Sequence, residues 1–130
     1  MVEHVNNKIN KTLQDILASS AYDLYDWFFE NFRITVPSSE EIDFSTVGDL
    51  LSRSANYYTY FSSMHSMLES MVKEAKLNKE DADKSKEIMI KRDIIGNFEE
   101  QMKFTYNAIS RICTMKVEGN KEMQMLGTQC

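Results

Sequence analysis

The chain has 130 residues, a net charge of −5, one proline and four glycines. That length bounds it to one domain, or one domain with an arm. So few turn-forming residues exclude a sheet protein, which needs a turn every eight to twelve positions or so.

In chain order, the first predicted element is a helix over residues 5–31. Ile9, Leu13, Ile16, Leu17, Leu24, Trp27 and Phe28 share one face at 3–4 spacing. Its end is crowded with rings: Tyr22, Tyr25, Trp27, Phe28, Phe29 and Phe32. One face cannot bury them all, so some are expected to pack on the rest of the chain or on another subunit. Residues 33–45 are the main connector. Val36 precedes Pro37 and is pushed toward extended geometry. Ser38 with Glu41 is placed to cap a short turn, and Thr46 with Asp49 to cap the next helix.

The second helix is predicted from residue 46. Its stripe is Val47, Leu51, Ser54, Tyr58, Phe61, His65, Leu68, Val72 and Ala75. The polar break LNKEDAD follows at 77–83, with Asn78 or Asp83 as a cap. A third helix is predicted over about 84–118. Its stripe is Ile88, Ile95, Phe98, Met102, Tyr106, Ile109, Cys113 and Val117. Alternating spacings of four and three are the signature of a coiled-coil seam. Gly96 sits inside the third helix at a cost of about 1 kcal/mol relative to Ala, which the stripes either tolerate or use to let a partner helix approach closely. Gly119-Asn120 is a stop signal. The expected fold is therefore all-α: a long antiparallel helical hairpin with the N-terminal helix packed on it or on a neighbouring subunit. Residues 1–45 read as an acidic, aromatic-rich arm, 46–126 as the hairpin, and 127–130 as a tail.

The acidity is local. Residues 1–45 hold eight acidic residues against three basic ones, whereas residues 46–130 are balanced. Cys113 falls on the apolar stripe as a small buried hydrophobe, and Cys130 ends the chain. Two such cysteines suit a reducing compartment. No apolar run approaches bilayer-spanning length, and MVEHVNNKIN lacks the pattern of a signal peptide. A cytoplasmic protein is expected.

No catalytic or phosphate-binding motif is present in the sequence. With two histidines, a His-based triad is nearly excluded. His65, in the run MHSMLESM, reads as a seam histidine bonded across the hairpin or to Ser54, rather than as a metal ligand with Met64 or Met67. No metal, cofactor or small-molecule substrate is expected, and the chain reads as a non-enzyme. Leu50, Tyr57, Met64 and Met71 repeat every seven residues beside the main stripe and widen it. With Tyr22, Trp27, Phe28 and Phe29 they are the expected interface of a homo-oligomer.

Basic residues gather at the hairpin tip: Lys73, Lys76, Lys79, Lys84, Lys86, Lys91 and Arg92. Arg111, Lys116 and Lys121 form a second group after Phe104 and Tyr106. Lys73, Lys76, Lys84, Lys86, Arg111 and Lys116 are the candidate nucleic-acid contacts. Asp15, Asp23, Asp26, Glu30, Glu40, Glu41 and Asp43 form a candidate acidic surface.

The aromatic helix NYYTYFSSMHSMLESMVKEAKL, the charged break, and the ending YNAISRICTMKVEGNKEMQML with its Ser110-Arg111 pair resemble small early-gene proteins of tailed phages. They also resemble the UvsY-type phage recombination mediators. The likeness covers the hairpin only. It implies a ring-like homo-oligomer that binds single-stranded DNA and loads a recombinase. The family's basic residues at the end of the aromatic helix would fall on Lys73 and Lys76. The acidic N-terminal part departs from that pattern, and Glu74 and Glu80 dilute the basic tract. Two other classes compete. One is a phage-encoded, anti-CRISPR-like inhibitor that blocks a host defence nuclease through its acidic N-terminal part. The other is a structural scaffold.

Overall fold

The computed structural model describes residues 11–35, 43–77 and 82–119. Among them are four helices: α1 (Leu13–Ala18), α2 (Ala21–Asn31), α3 (Phe44–Leu77) and α4 (Ala82–Gly119). No strand occurs among the described residues, and the fold is all-α. Two compact units are formed. One contains α1, α2 and Thr59–Glu99, and the other contains Ile34–Tyr58 and the chain from Glu100 onward. The Pro37 connector, the caps proposed at Ser38 and Asn78, Glu40, Glu41 and the final tail lie outside the described residues, as does the Lys116 side chain.

The single helix expected over 5–31 is two helices within the described chain. Thr12 opens α1 with a capping box. Its hydroxyl accepts from the Asp15 N–H at 3.2 Å, and the Asp15 carboxylate accepts from the Thr12 N–H at 3.0 Å. These bonds hold the Asp15 carboxyl below the usual carboxylate range. Ser19 closes α1, donating its hydroxyl to the Asp15 carbonyl at 2.7 Å. Ser20 is extended, and its side chain accepts from the Asp23 N–H at 3.0 Å to start α2. Two adjacent serines thus offer the backbone an alternative to continuous helix.

In the first unit, α2 packs on the hairpin through its rings. Phe28 stacks on Phe98 with centroids 4.1 Å apart, and Trp27 meets Phe61 edge-on at 5.9 Å. Phe32 meets Phe61 at 4.8 Å. Leu24, Trp27, Phe28 and Phe32 are all buried. Two side chains of the hairpin reach back to the α1 region. The Tyr60 hydroxyl donates to the Lys11 carbonyl at 2.5 Å, and the Lys91 ammonium donates to the Leu17 carbonyl. Lys11 itself stands over the Trp27 ring at 5.6 Å.

Burial pushes the Tyr60 phenol well above its ordinary range near 10, and the charge of Asp15 adds to the shift. Above pH 10 the unfolded chain releases this proton while the folded chain keeps it. Stability therefore falls as pH climbs past 10. Urea melts at about pH 8 and about pH 11 are expected to show a loss in the wild type that Tyr60→Phe reduces.

The antiparallel register is explicit in this unit. Phe61 meets Phe98, His65 meets Glu99, and Glu69 meets Arg92. His65 bonds across the hairpin as expected, with Nδ1 to Glu99 Oε1 at 3.0 Å. Ser54 takes no part in that bond and donates to the Leu51 carbonyl at 3.2 Å. Gly96 has a reason to be glycine, because a Cβ there would stand 3.3 Å from His65 Nε2. In a His65→Ala background, Gly96→Ala is expected to stabilise the protein by about 1 kcal/mol, the propensity difference. In the wild-type background the gain should shrink or reverse, and a double-mutant cycle of thermal melts reads the difference.

In the second unit, Val47, Leu50, Ile109 and Cys113 form a buried cluster backed by Ile34, Phe44, Leu51 and Ile112. Cys113 is buried as expected, but its sulfur is disulfide-bonded. Helix α3 starts two residues before the expected position. Asp43 caps it, accepting from the Thr46 N–H at 2.7 Å. Asp49 is not the box partner of Thr46 and pairs with Arg53 at 2.7 Å instead.

Candidate interaction surfaces

Three surfaces carry the residues singled out in the sequence. The first is the outer face of α2. Tyr22, Asp26 and Phe29 recur at i, i+4 and i+7 and share one side of the helix. Tyr22 is 78% exposed and Phe29 61%. Asp23 and Glu30 flank them, and no Lys or Arg occurs in the helix. The other two rings proposed for an interface, Trp27 and Phe28, are buried in the core of their own unit and are not open to a partner. Met64 is likewise buried, whereas Tyr57 and Met71 are half-exposed. The width of the α3 apolar face in the first unit is thus partly taken up by the chain's own rings. Asp15 and Asp43 are engaged as helix-capping acids rather than standing as open charges.

The second surface is the hairpin tip. Lys73, Lys76, Lys84 and Lys86 are exposed there. Lys91 is 3% exposed and its ammonium faces the Leu17 carbonyl. Arg92 is held by Glu69 and Asp93, each at 3.1 Å. With those two and Glu87, the ion-pair partner of Lys91, withdrawn, residues 73–92 keep five basic residues against four acidic ones. The tip offers a phosphate chain little net attraction. A depression of about 220 Å³ lies between Met71, Glu74, Ala75, Lys84 and Ile88.

The third surface is on α4 within the second unit. Phe104 and Arg111 lie one heptad apart and, with Asn107 and Ala108, line a depression of about 110 Å³. Phe104 is 77% exposed, and Met115 extends the same side. Lys103 and Tyr106 are exposed beside it. Residues 101–117 contain Lys103, Arg111 and Lys116 and no Asp or Glu. No acid stands between these cations, although Glu100 and Glu118 flank the run, and rings stand among them. Lys103 and Phe104 were absent from the contacts expected from sequence. The sequence signal that points to them is a run of seventeen residues with no acid inside it.

Both depressions fall below the roughly 300 Å³ at which small-molecule pockets begin. Among the described residues no group of three His, Cys, Asp or Glu is placed to hold a metal ion. No helix among them is long and apolar enough to cross a membrane. No family model, curated protein or solved structure matches the chain.

Proposed function

We propose that this chain is a non-enzymatic helical binding protein of the recombination-mediator type, taking single-stranded DNA along the basic–aromatic stretch of α4. The observation that carries this reading is the acid-free run 101–117, with Phe104 and Arg111 exposed one heptad apart. Cations that track a backbone, interleaved with rings on which bases stack, are what sequence-independent strand binding requires. A recombinase partner, self-assembly and a phage origin belong to the same reading. They rest on the resemblance of the hairpin sequence.

The test is a titration of a labelled oligonucleotide at about 50 mM salt, where electrostatic binding is favoured. Lys103→Ala with Arg111→Ala is expected to weaken binding and to lower the salt slope by about 1.4, at about 0.7 per lost phosphate contact. Phe104→Ala is expected to cost about 1–3 kcal/mol of stacking. Lys73→Ala with Lys76→Ala, at the nearly charge-balanced tip, should do less. A flat wild-type titration removes the mediator reading. The inhibitor and scaffold readings then remain, the former through the acidic face of α2.

A further inference from the structure

We infer that the outer face of α2 in one copy of the chain docks on the 101–115 face of α4 in a second copy. The two faces are complementary in each respect that the structure records. Helix α2 carries Asp23, Asp26 and Glu30 and no cation. Over 101–115, α4 carries Lys103 and Arg111 and no acid, with Glu100 just before the stretch. Among the described residues, none of Asp23, Asp26, Glu30, Lys103 and Arg111 is in an ion pair.

The rings match as well. Tyr22 and Phe29 lie seven residues apart, and so do Phe104 and Arg111. At about 1.5 Å per residue both spans are about 10 Å, so the two faces can lie in register. Phe29 and Phe104 are among the most exposed large apolar side chains of the described residues. Covering both removes apolar area from water, and opposed charges around them fix the register.

Each contact sets an acid face on a base face, whether two copies pair reciprocally, α2 of each on α4 of the other, or successive copies join head to tail. The inference does not depend on strand binding, but it uses the same Lys103, Phe104 and Arg111 side chains, so oligonucleotide and a second copy compete for this face.

Light scattering at tens of micromolar tests it. In about 50 mM salt the wild type is expected to exceed the monomer mass of 15.1 kDa. In about 0.5 M salt the mass should fall, because screening weakens the charged contact. Asp23→Asn with Asp26→Asn and Glu30→Gln should be monomeric. So should Lys103→Gln with Arg111→Gln. Mixed at equal concentration, the two variants have one intact face each, and the mixture should stop at about 30 kDa, twice the monomer mass. A monomeric wild type overturns the inference. So do variants that stay oligomeric, or a mixture that stays at the monomer mass. All five substitutions are on exposed side chains, and the salt series reads the same contact with no substitution. A monomer that still binds oligonucleotide overturns this contact and leaves the strand-binding proposal standing.

Discussion

Phe61→Ala is expected to destabilise the protein by about 3–5 kcal/mol, the range for deleting a large buried ring. Phe61 is fully buried on α3. Its ring meets those of Trp27, Phe28, Phe32, Tyr60 and Phe98, all within 6 Å of centroid separation. It therefore joins α2 and the segment after it to both strands of the hairpin. Edge-on pairs add about 0.5–1.5 kcal/mol each beyond area burial. The surrounding rings are rigid, so the site is poorly able to collapse into the space left, which places the loss in the upper part of the range. Urea melts followed by Trp27 fluorescence measure it. Ile109→Ala in the second unit should lose about 2–5 kcal/mol, and Lys86→Ala at the exposed tip less than about 1 kcal/mol. Equal losses in all three would mean that the buried seam is misassigned.

Lys91→Met is the second large effect, an expected loss of about 1.5–3 kcal/mol. Methionine keeps most of the buried stem but removes the ammonium that bonds the Leu17 carbonyl. Hydrogen bonds from charged groups fall in that range, and the carbonyl left behind loses its partner. The second contact of Lys91 is Glu87 at 3.4 Å, whose side chain is exposed. Glu87→Ala should therefore cost less than about 1 kcal/mol. If Glu87→Ala costs as much as Lys91→Met, the ion pair rather than the bond to α1 holds Lys91 in place. Denaturant melts of the two variants side by side decide between these outcomes.

The hairpin was legible because its apolar spacing is sustained over many turns. Val47, Phe61, Leu68 and Val72 on α3, and Ile95, Phe98, Ile109 and Cys113 on α4, are all buried as the spacing requires. The break at Ser19-Ser20 was missed, although its cause was written in the chain. Thr12 with Asp15, and Ser20 with Asp23, are capping pairs. The apolar spacing of the first helix runs straight through them and masked the stop. Lys91 could not be read as buried. Its partner lies 74 residues away, and nothing local distinguishes it from Lys86. The candidate surface was half legible. Arg111 and Lys116 stand out in the sequence, but a count of basic residues favours the tip, because it ignores how many are already paired. Apolar spacing alone assigns Trp27, Phe28 and Met64 to a partner, because it does not say which elements of the same chain arrive to cover them.

The six-residue helix α1 has too few turns to persist by itself, since isolated helices of that length do not form in water. It is pinned at both ends by side chains from the hairpin, Tyr60 on the Lys11 carbonyl and Lys91 on the Leu17 carbonyl. Both pins grip backbone rather than side chains, so they fix where the strap lies without dictating what residues it is made of. Ile16 of α1 is fully buried and holds the helix as well. Releasing α1 therefore means undoing both pins and exposing one isoleucine, a smaller step in local unfolding than opening the ring cluster on α2.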